Sequence, residues 1–136
     1  IEKASGARLP ILAESDAAVE GPAVYIGATL AAANAGLDVA ALPGEGAYLK
    51  RIGDALYIAG ADGPGDALST GNVHSGTLWG AYEALERITG VRWLWPGDLG
   101  TFVPEASSLE VPAFDETVAA RFTQRQLRPS INPNDP

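Results

Sequence analysis

Residues 76–104, GTLWGAYEALERITGVRWLWPGDLGTFVP, set a helix, an abrupt stop and an aromatic strand in immediate succession, and that order restricts the folds open to the chain. At about 100° per residue, Leu78, Ala81, Tyr82, Leu85 and Ile88 gather on one arc while Glu83 and Arg87 lie opposite, the pattern of an amphipathic helix. Gly90 follows as a C′ residue able to take positive φ, with Val91 placed to fold back as its apolar contact. Glu83 and Arg87 are a favourably oriented i,i+4 ion pair. The residues Val91-Arg92-Trp93-Leu94-Trp95 then alternate with a period of two, Val91, Trp93 and Trp95 sharing a face, until Pro96-Gly97 ends the strand.

A second stripe on the same helix is made of small residues. Gly76, Gly80 and Ala84 lie away from the main apolar arc, and glycine inside a helix costs about 0.5–1 kcal/mol relative to alanine. The stripe therefore implies close backbone approach by another element, the following domain being one candidate. The plainer reading is that Gly76 belongs to the N-terminal turn and Gly80 alone is interior.

Upstream, residues 23–26 read as a short apolar strand, and residues 29–35 as a helix with Thr29 as N-cap, closed by Gly36 with Leu37 behind it. Residues 48–59 hold two strands around Gly53-Asp54, a glycine-first turn suited to a type II′ hairpin. Pairing through that turn puts Leu49, Leu56 and Ile58 on one face with Arg51, and Tyr48, Ile52 and Tyr57 on the other with Lys50. Both faces carry large apolar groups, so the second face needs a cover, for which a neighbouring domain is the simplest source. Residues 60–73 form a polar loop, residues 101–103 and 109–111 two short strands, and residues 121–127 an extended exit. The expected architecture is α+β: an antiparallel or mixed sheet with helices packed on one face.

At 136 residues with 46% hydrophobic residues, the chain has enough material for one domain with a real core. Nine Lys plus Arg against 17 Asp plus Glu give −8, a balance that repels a phosphate backbone and argues against a nucleic-acid partner. No apolar run approaches the roughly 18–20 residues of a membrane helix, so no membrane partner is expected. The absence of cysteine removes disulfides and thiolate metal sites.

The helix–stop–strand unit resembles the N-terminal accessory domain of bacterial glycan-cleaving hydrolases: the α-glucuronidases of glycoside hydrolase family 67, their uncharacterised relatives, and the endo-N-acetylglucosaminidases of family 163. A more distant likeness is to the second domain of family 20 β-hexosaminidases. The residues that carry it are Gly76-Thr77-Leu78-Trp79, Leu85-Glu86, Gly90-Val91-Arg92-Trp93, Pro96-Gly97 and Val103-Pro104. More loosely, Ser5-Gly6-Ala7-Arg8-Leu9-Pro10-Ile11 resembles the turn and strand after that family's first helix, and residues 24–37 its next strand and short helix. The resemblance implies a hexosaminidase domain 2-like sandwich over residues 1–128, entered near the end of its first helix, so that the first strand and most of that helix precede Ile1. It further implies a linker or the start of a next domain at residues 129–136, an extracellular or periplasmic location, and a following (β/α)8 barrel as partner.

In such enzymes the catalytic acids lie on the barrel, so no catalytic residue is assigned to this chain, and no metal or cofactor. The loop at residues 60–66 lacks the Gly-Lys-Ser/Thr ending of a P-loop, and its aspartates repel phosphate. His74, the only histidine, cannot form a triad or metal site alone; it reads as a loop or capping residue, its ring or Ser75 being able to cap the first turn of the helix. The candidate contact residues are Trp79, Arg92, Trp93 and Trp95, with Arg121 and Arg125 at the exit. Exposed indoles would form a sugar platform and buried ones a packing face; since Trp93 and Trp95 share a face with Val91, at least one is expected to be buried. A freestanding carbohydrate-binding module and a small hydrolase using a carboxylate pair remain the alternatives.

Overall fold

The computed structural model describes residues 1–15, 21–65 and 74–121. In chain order these form α1 (Glu2–Ser5), β1 (Ala23–Ile26), α2 (Leu30–Asn34), a 3-10 turn (Val39–Ala41), β2 (Ala47–Ile52) and β3 (Ala55–Gly60). Then come α3 (Gly76–Thr89), β4 (Arg92–Trp93), a second 3-10 turn (Asp98–Gly100), β5 (Thr101–Phe102) and β6 (Asp115–Val118). The fold is α+β, with a mixed four-stranded sheet in the order β1-β3-β2-β6.

The sheet is organised by the β2–β3 hairpin. Ile52 pairs with Ala55, and Gly53 takes φ 58° while Asp54 keeps negative φ, as a type II′ turn requires. That register sorts the side chains as the sequence pattern foretold. Leu49, Leu56 and Ile58 enter one buried cluster with Ala84 and Phe114, while Tyr48, Tyr57 and Ala59 join a second cluster on the opposite face. The second face does not wait for a neighbouring domain. Ala32 and Leu37, from α2 and the residues after it, cover it together with Val39. Helical elements thus lie on both faces of the sheet, correcting the expectation of one, because each face carries enough apolar area to hold one.

The ends of α2 follow their sequence signals closely. Thr29 Oγ1 accepts a 3.0 Å hydrogen bond from the Ala32 amide. At the other end Gly36 takes φ 79°, and the amides of Gly36 and Leu37 donate back to the carbonyls of Ala33 and Ala32. That pair of bonds is a Schellman closure, with Leu37 packed in the same cluster as Ala32.

On α3 the outcome is less intuitive: the small stripe meets the sheet most closely, and of the main apolar arc Ala81 and Ile88 pack against the same cluster. Gly76, Gly80 and Ala84 are buried, whereas Leu78 and Leu85 are half-buried and Tyr82 is exposed. A methyl group on Gly80 would sit 2.7 Å from Ala47 Cβ and 3.3 Å from Ile58 Cγ2. One on Gly60 would overlap the backbone nitrogen of Thr77. The close approach inferred from the glycines is real, and the approaching element is this domain's own sheet.

β6 escaped the sequence reading. Residues 109–111 form no strand; instead Val111 packs against the core and its carbonyl accepts 2.8 Å from Arg51 Nη1, before Phe114 buries and the strand begins at Asp115. Asp-Glu-Thr-Val offers a single apolar residue, so its period of two is nearly invisible, yet as an edge strand it needs to bury only Val118. Residues 7–11, which resemble a strand, belong to no ladder, and β1 leaves Val24 and Ile26 exposed on the α3 side of the sheet. Residues 129–136 and the expected exit at residues 122–127 lie outside the described residues.

Gly80→Leu is expected to destabilise the isolated chain by about 1–3 kcal/mol through overpacking against Ala47 and Ile58, read as a lowered midpoint in urea denaturation. An unchanged midpoint would contradict the packing described for α3.

Candidate functional site

The outer flank of α3 and the hairpin after it hold most of the candidate residues. The helix is anchored at its N-terminus by a residue from the preceding loop: Asp62 Oδ1 accepts a 2.8 Å hydrogen bond from the Thr77 amide. His74 is an exposed loop residue, one of the two readings open to it, and Ser75, the N-cap residue, makes no side-chain cap, so the capping reading is corrected. A carboxylate at this position complements the helix dipole better than a neutral ring or hydroxyl. At the C-terminus Gly90 takes φ 74°, and Thr89 Oγ1 accepts from the Val91 amide at 3.2 Å, directing the chain into β4.

Three aromatic rings line this flank. Trp79 and Tyr82 lie 6.0 Å apart at 43°, and Tyr82 meets Trp93 edge-on at 4.8 Å and 77°. Trp93 is 40% exposed and Trp95 74% exposed, so the expectation that one of them is buried is overturned. The reason is the length of the strand: β4 pairs with β5 over two residues only, Arg92 with Phe102 and Trp93 with Thr101, and only Val91 reaches the interior. Beyond the ladder, Pro96, Gly97 and the 3-10 turn form a tip. Gly100 is pressed beneath the Trp95 carbonyl, whose oxygen occupies the place where a Cβ would stand. The tip holds Leu94, Trp95 and Leu99 out to solvent, with Phe102 at its base.

Charge is arranged around the rings. Arg87 is clamped between Glu116 of β6 and Glu83, whose Oε1 lies 2.7 Å from Nη2. The hydrogen bonds that Arg87 donates to Glu116 first, then to Glu83, raise its pKa above the ordinary value. Arg92 Nη1 lies 3.3 Å from Glu86 Oε2. Beside Trp79 and Tyr82 runs an open groove of about 220 Å³, lined also by Glu45, Glu83, Glu86 and residues 118–120. Arg121 is exposed at the end of the described chain, and Arg125 lies outside the described residues.

The structure thus links Trp79 to Trp93 through Tyr82 and ties Arg92 to the same helix through Glu86, while Trp95 stands apart in solvent at the tip. Sequence reasoning missed Tyr82, which links Trp79 to Trp93, and Leu99 and Phe102 at the tip. Tyr82 stands three residues after Trp79, a spacing that places two side chains side by side on a helix, and that signal was available. Most described carboxylates have structural duties: Glu14 receives the amides of Leu30 and Ala31, Asp38 that of Ala40, Asp62 caps α3, and Asp115 pairs with Lys50 at 3.0 Å. Among the described residues no group of three or more His, Asp or Glu side chains is placed to hold a metal ion. None of the described helices is long and apolar enough to cross a membrane.

No family model matches the chain, and neither a curated protein nor a solved structure matches it.

Trp95→Ser is expected to change stability by less than about 0.5 kcal/mol, since the ring is mostly solvated. Trp93→Ala, which loses the edge contact with Tyr82, is expected to cost about 0.5–1.5 kcal/mol more than that. Asp62→Ala is expected to cost about 1 kcal/mol through the lost cap. Paired urea titrations of the three variants check all three values.

Proposed function

We propose that this chain is a non-catalytic accessory domain of an exported, multidomain glycan-active hydrolase, and that it docks on and stabilises a following (β/α)8 catalytic barrel. The observation that carries the reading is the β4–β5 tip. Leu94, Trp95 and Leu99 stand in solvent on a base fixed by buried Gly100 and Val91. A cluster of large apolar groups held out rigidly is the form of a surface awaiting a partner. The resemblance of residues 76–104 to accessory domains of such enzymes supplies the kind of partner, and the turn at residues 96–100 would then shape one rim of the substrate cleft.

Two geometric facts weigh against the alternatives. Stacking along a sugar chain favours coplanar aromatic faces, whereas Trp79, Tyr82 and Trp93 are tilted or perpendicular to their neighbours. A hydrolase needs two carboxylates across a cleft, whereas Glu83 and Glu86 on the groove are engaged with Arg87 and Arg92.

The test uses the full natural polypeptide that carries this domain, assayed on a panel of aryl glycosides. Trp95→Ser combined with Leu99→Ser is expected to lower its temperature of half-inactivation by several degrees, while kcat/KM at low temperature stays within about twofold. Glycan binding by the isolated chain that Trp95→Ser abolishes would replace this reading with that of a binding module. A polypeptide with neither glycosidase activity nor glycan affinity would remove both.

A further inference from the structure

β1 lies at one edge of the four-stranded sheet. The Gly27 amide donates to the Ile58 carbonyl at 2.8 Å, so the backbone of Gly27 faces β3. Backbone direction alternates along a strand: Ala23 and Tyr25 also turn toward β3, and Val24 and Ile26 turn their N–H and C=O groups outward. Among the described residues no strand lies beyond β1 to receive them. The side chains of the same two residues are 43% and 58% exposed on the α3 side of the sheet. Outward-facing backbone and uncovered apolar side chains thus coincide at Val24 and Ile26.

The two edges of the sheet differ in charge. β6 carries Asp115 and Glu116, which discourage a further strand, whereas no charged residue occurs from Gly21 to Leu37. A chain of net charge −8 that meets a copy of itself meets it with least repulsion along such an uncharged edge. The residues flanking β1 also restrict the register. Antiparallel pairing about a two-fold axis at Tyr25 sets Val24 opposite Ile26 of the second copy and Ile26 opposite its Val24, each pair exchanging two hydrogen bonds. A slip centred on Val24 would set Ile26 against Pro22, which has no N–H. One centred on Ile26 would set Val24 against Ala28, past Gly27 with its φ of 95°. A single register satisfies both residues, and it is self-complementary.

We infer that β1 pairs with β1 of a second copy of this chain, antiparallel and centred on Tyr25, joining the two four-stranded sheets edge to edge. On the α3 side Val24 and Ile26 cover one another across the axis. On the other side Tyr25, stacked on Tyr57 at 5.1 Å and 15°, comes beside Tyr25 of the second copy and extends that stack through the interface. The contact is isologous, so it closes at two copies. An edge of four residues falls short of the roughly 1,200 Å² of a stable interface, so the dimer is weak and forms between about 10 μM and about 1 mM chain. No residue of the β4–β5 tip takes part, and the association stands whether or not the tip meets a barrel.

The experiment is sedimentation equilibrium of the whole 136-residue chain over that concentration range, beside Val24→Lys/Ile26→Lys and Val24→Glu/Ile26→Glu. Neither side chain belongs to the two apolar clusters of the core, so the fold persists. The mass of the unmodified chain is expected to rise from that of one chain toward that of two. Each charged variant alone is expected to associate at least about tenfold more weakly, and an equimolar mixture of the two to associate again, because lysines then stand opposite glutamates. The register has its own readout. The chain has no cysteine, so Tyr25→Cys supplies a lone thiol, which oxidised glutathione is expected to convert into a disulfide between copies. Val24→Cys, set diagonally from its counterpart, is expected to link far less. A mass of one chain throughout the range overturns the inference. So does association that both charged variants retain, which gives it to another surface, the tip being checked with Trp95→Ser/Leu99→Ser. A mass that climbs past two copies overturns it as well, by making the contact open-ended.

Discussion

The near contact between the backbone of α3 and the hairpin beneath it is the constraint on which the rest of the molecule depends. Gly60 and Gly76 lie where even a methyl group would overlap backbone atoms, and Gly80 rests against Ala47 and Ile58. A helix lying this low sets mainly small residues against the sheet, with Ile88 its one large side chain packed on the cluster, because Leu49, Leu56 and Ile58 rise from the sheet to fill the space. The large residues of α3 are thereby released to its flanks and outer side. That displacement creates the aromatic line of Trp79, Tyr82 and Trp93: the same packing that makes the core small-on-large makes the surface unusually apolar.

Electrostatics reinforce the arrangement without driving it. Arg87 ties α3 to β6 through Glu116, and Lys50 ties β2 to β6 through Asp115, so the most polar strand is held at both its acidic residues. Each such pair is partly exposed and contributes little alone. Their combined effect is to fix an edge strand whose only apolar anchor is Val118. An edge built this way also resists pairing with another chain, since charged side chains line it.

The sequence was legible wherever a local rule acted alone. The Gly53-Asp54 turn, the Thr29 cap, the Gly36-Leu37 closure and the Gly90 stop each follow from backbone chemistry within a few residues, and each stands where it was expected. The two-faced alternation of the hairpin likewise forecast two clusters, because a period of two is imposed by the pleat itself. Legibility failed where tertiary context decides. Nothing in Asp-Glu-Thr-Val distinguishes an edge strand from a loop until β2 is present to pair with it. Which arc of α3 faces inward depends on the height at which the helix rides, and the buried glycines at its first residue and in its interior were the better guide than the larger apolar arc, of which only Ala81 and Ile88 reach the core cluster. At the candidate site, Trp93 and Trp95 were identified but judged by a strand length that the two-residue ladder never reaches.

Each of the two longer helices also has leading amides satisfied by a carboxylate from far back in the chain. Glu14 serves α2 across 16 residues and Asp62 serves α3 across 15. In kinetic terms, neither helix carries within itself all that closes its first turn: a loop must shut before the leading amides are satisfied, and the entropy of that closure falls on the folding barrier. α3 in isolation would fray from its N-terminus, and its order would rise only as the β3–α3 connection forms. The first turn of α3 is therefore completed only when the β3–α3 connection closes, which couples the order of the helix to that of the sheet.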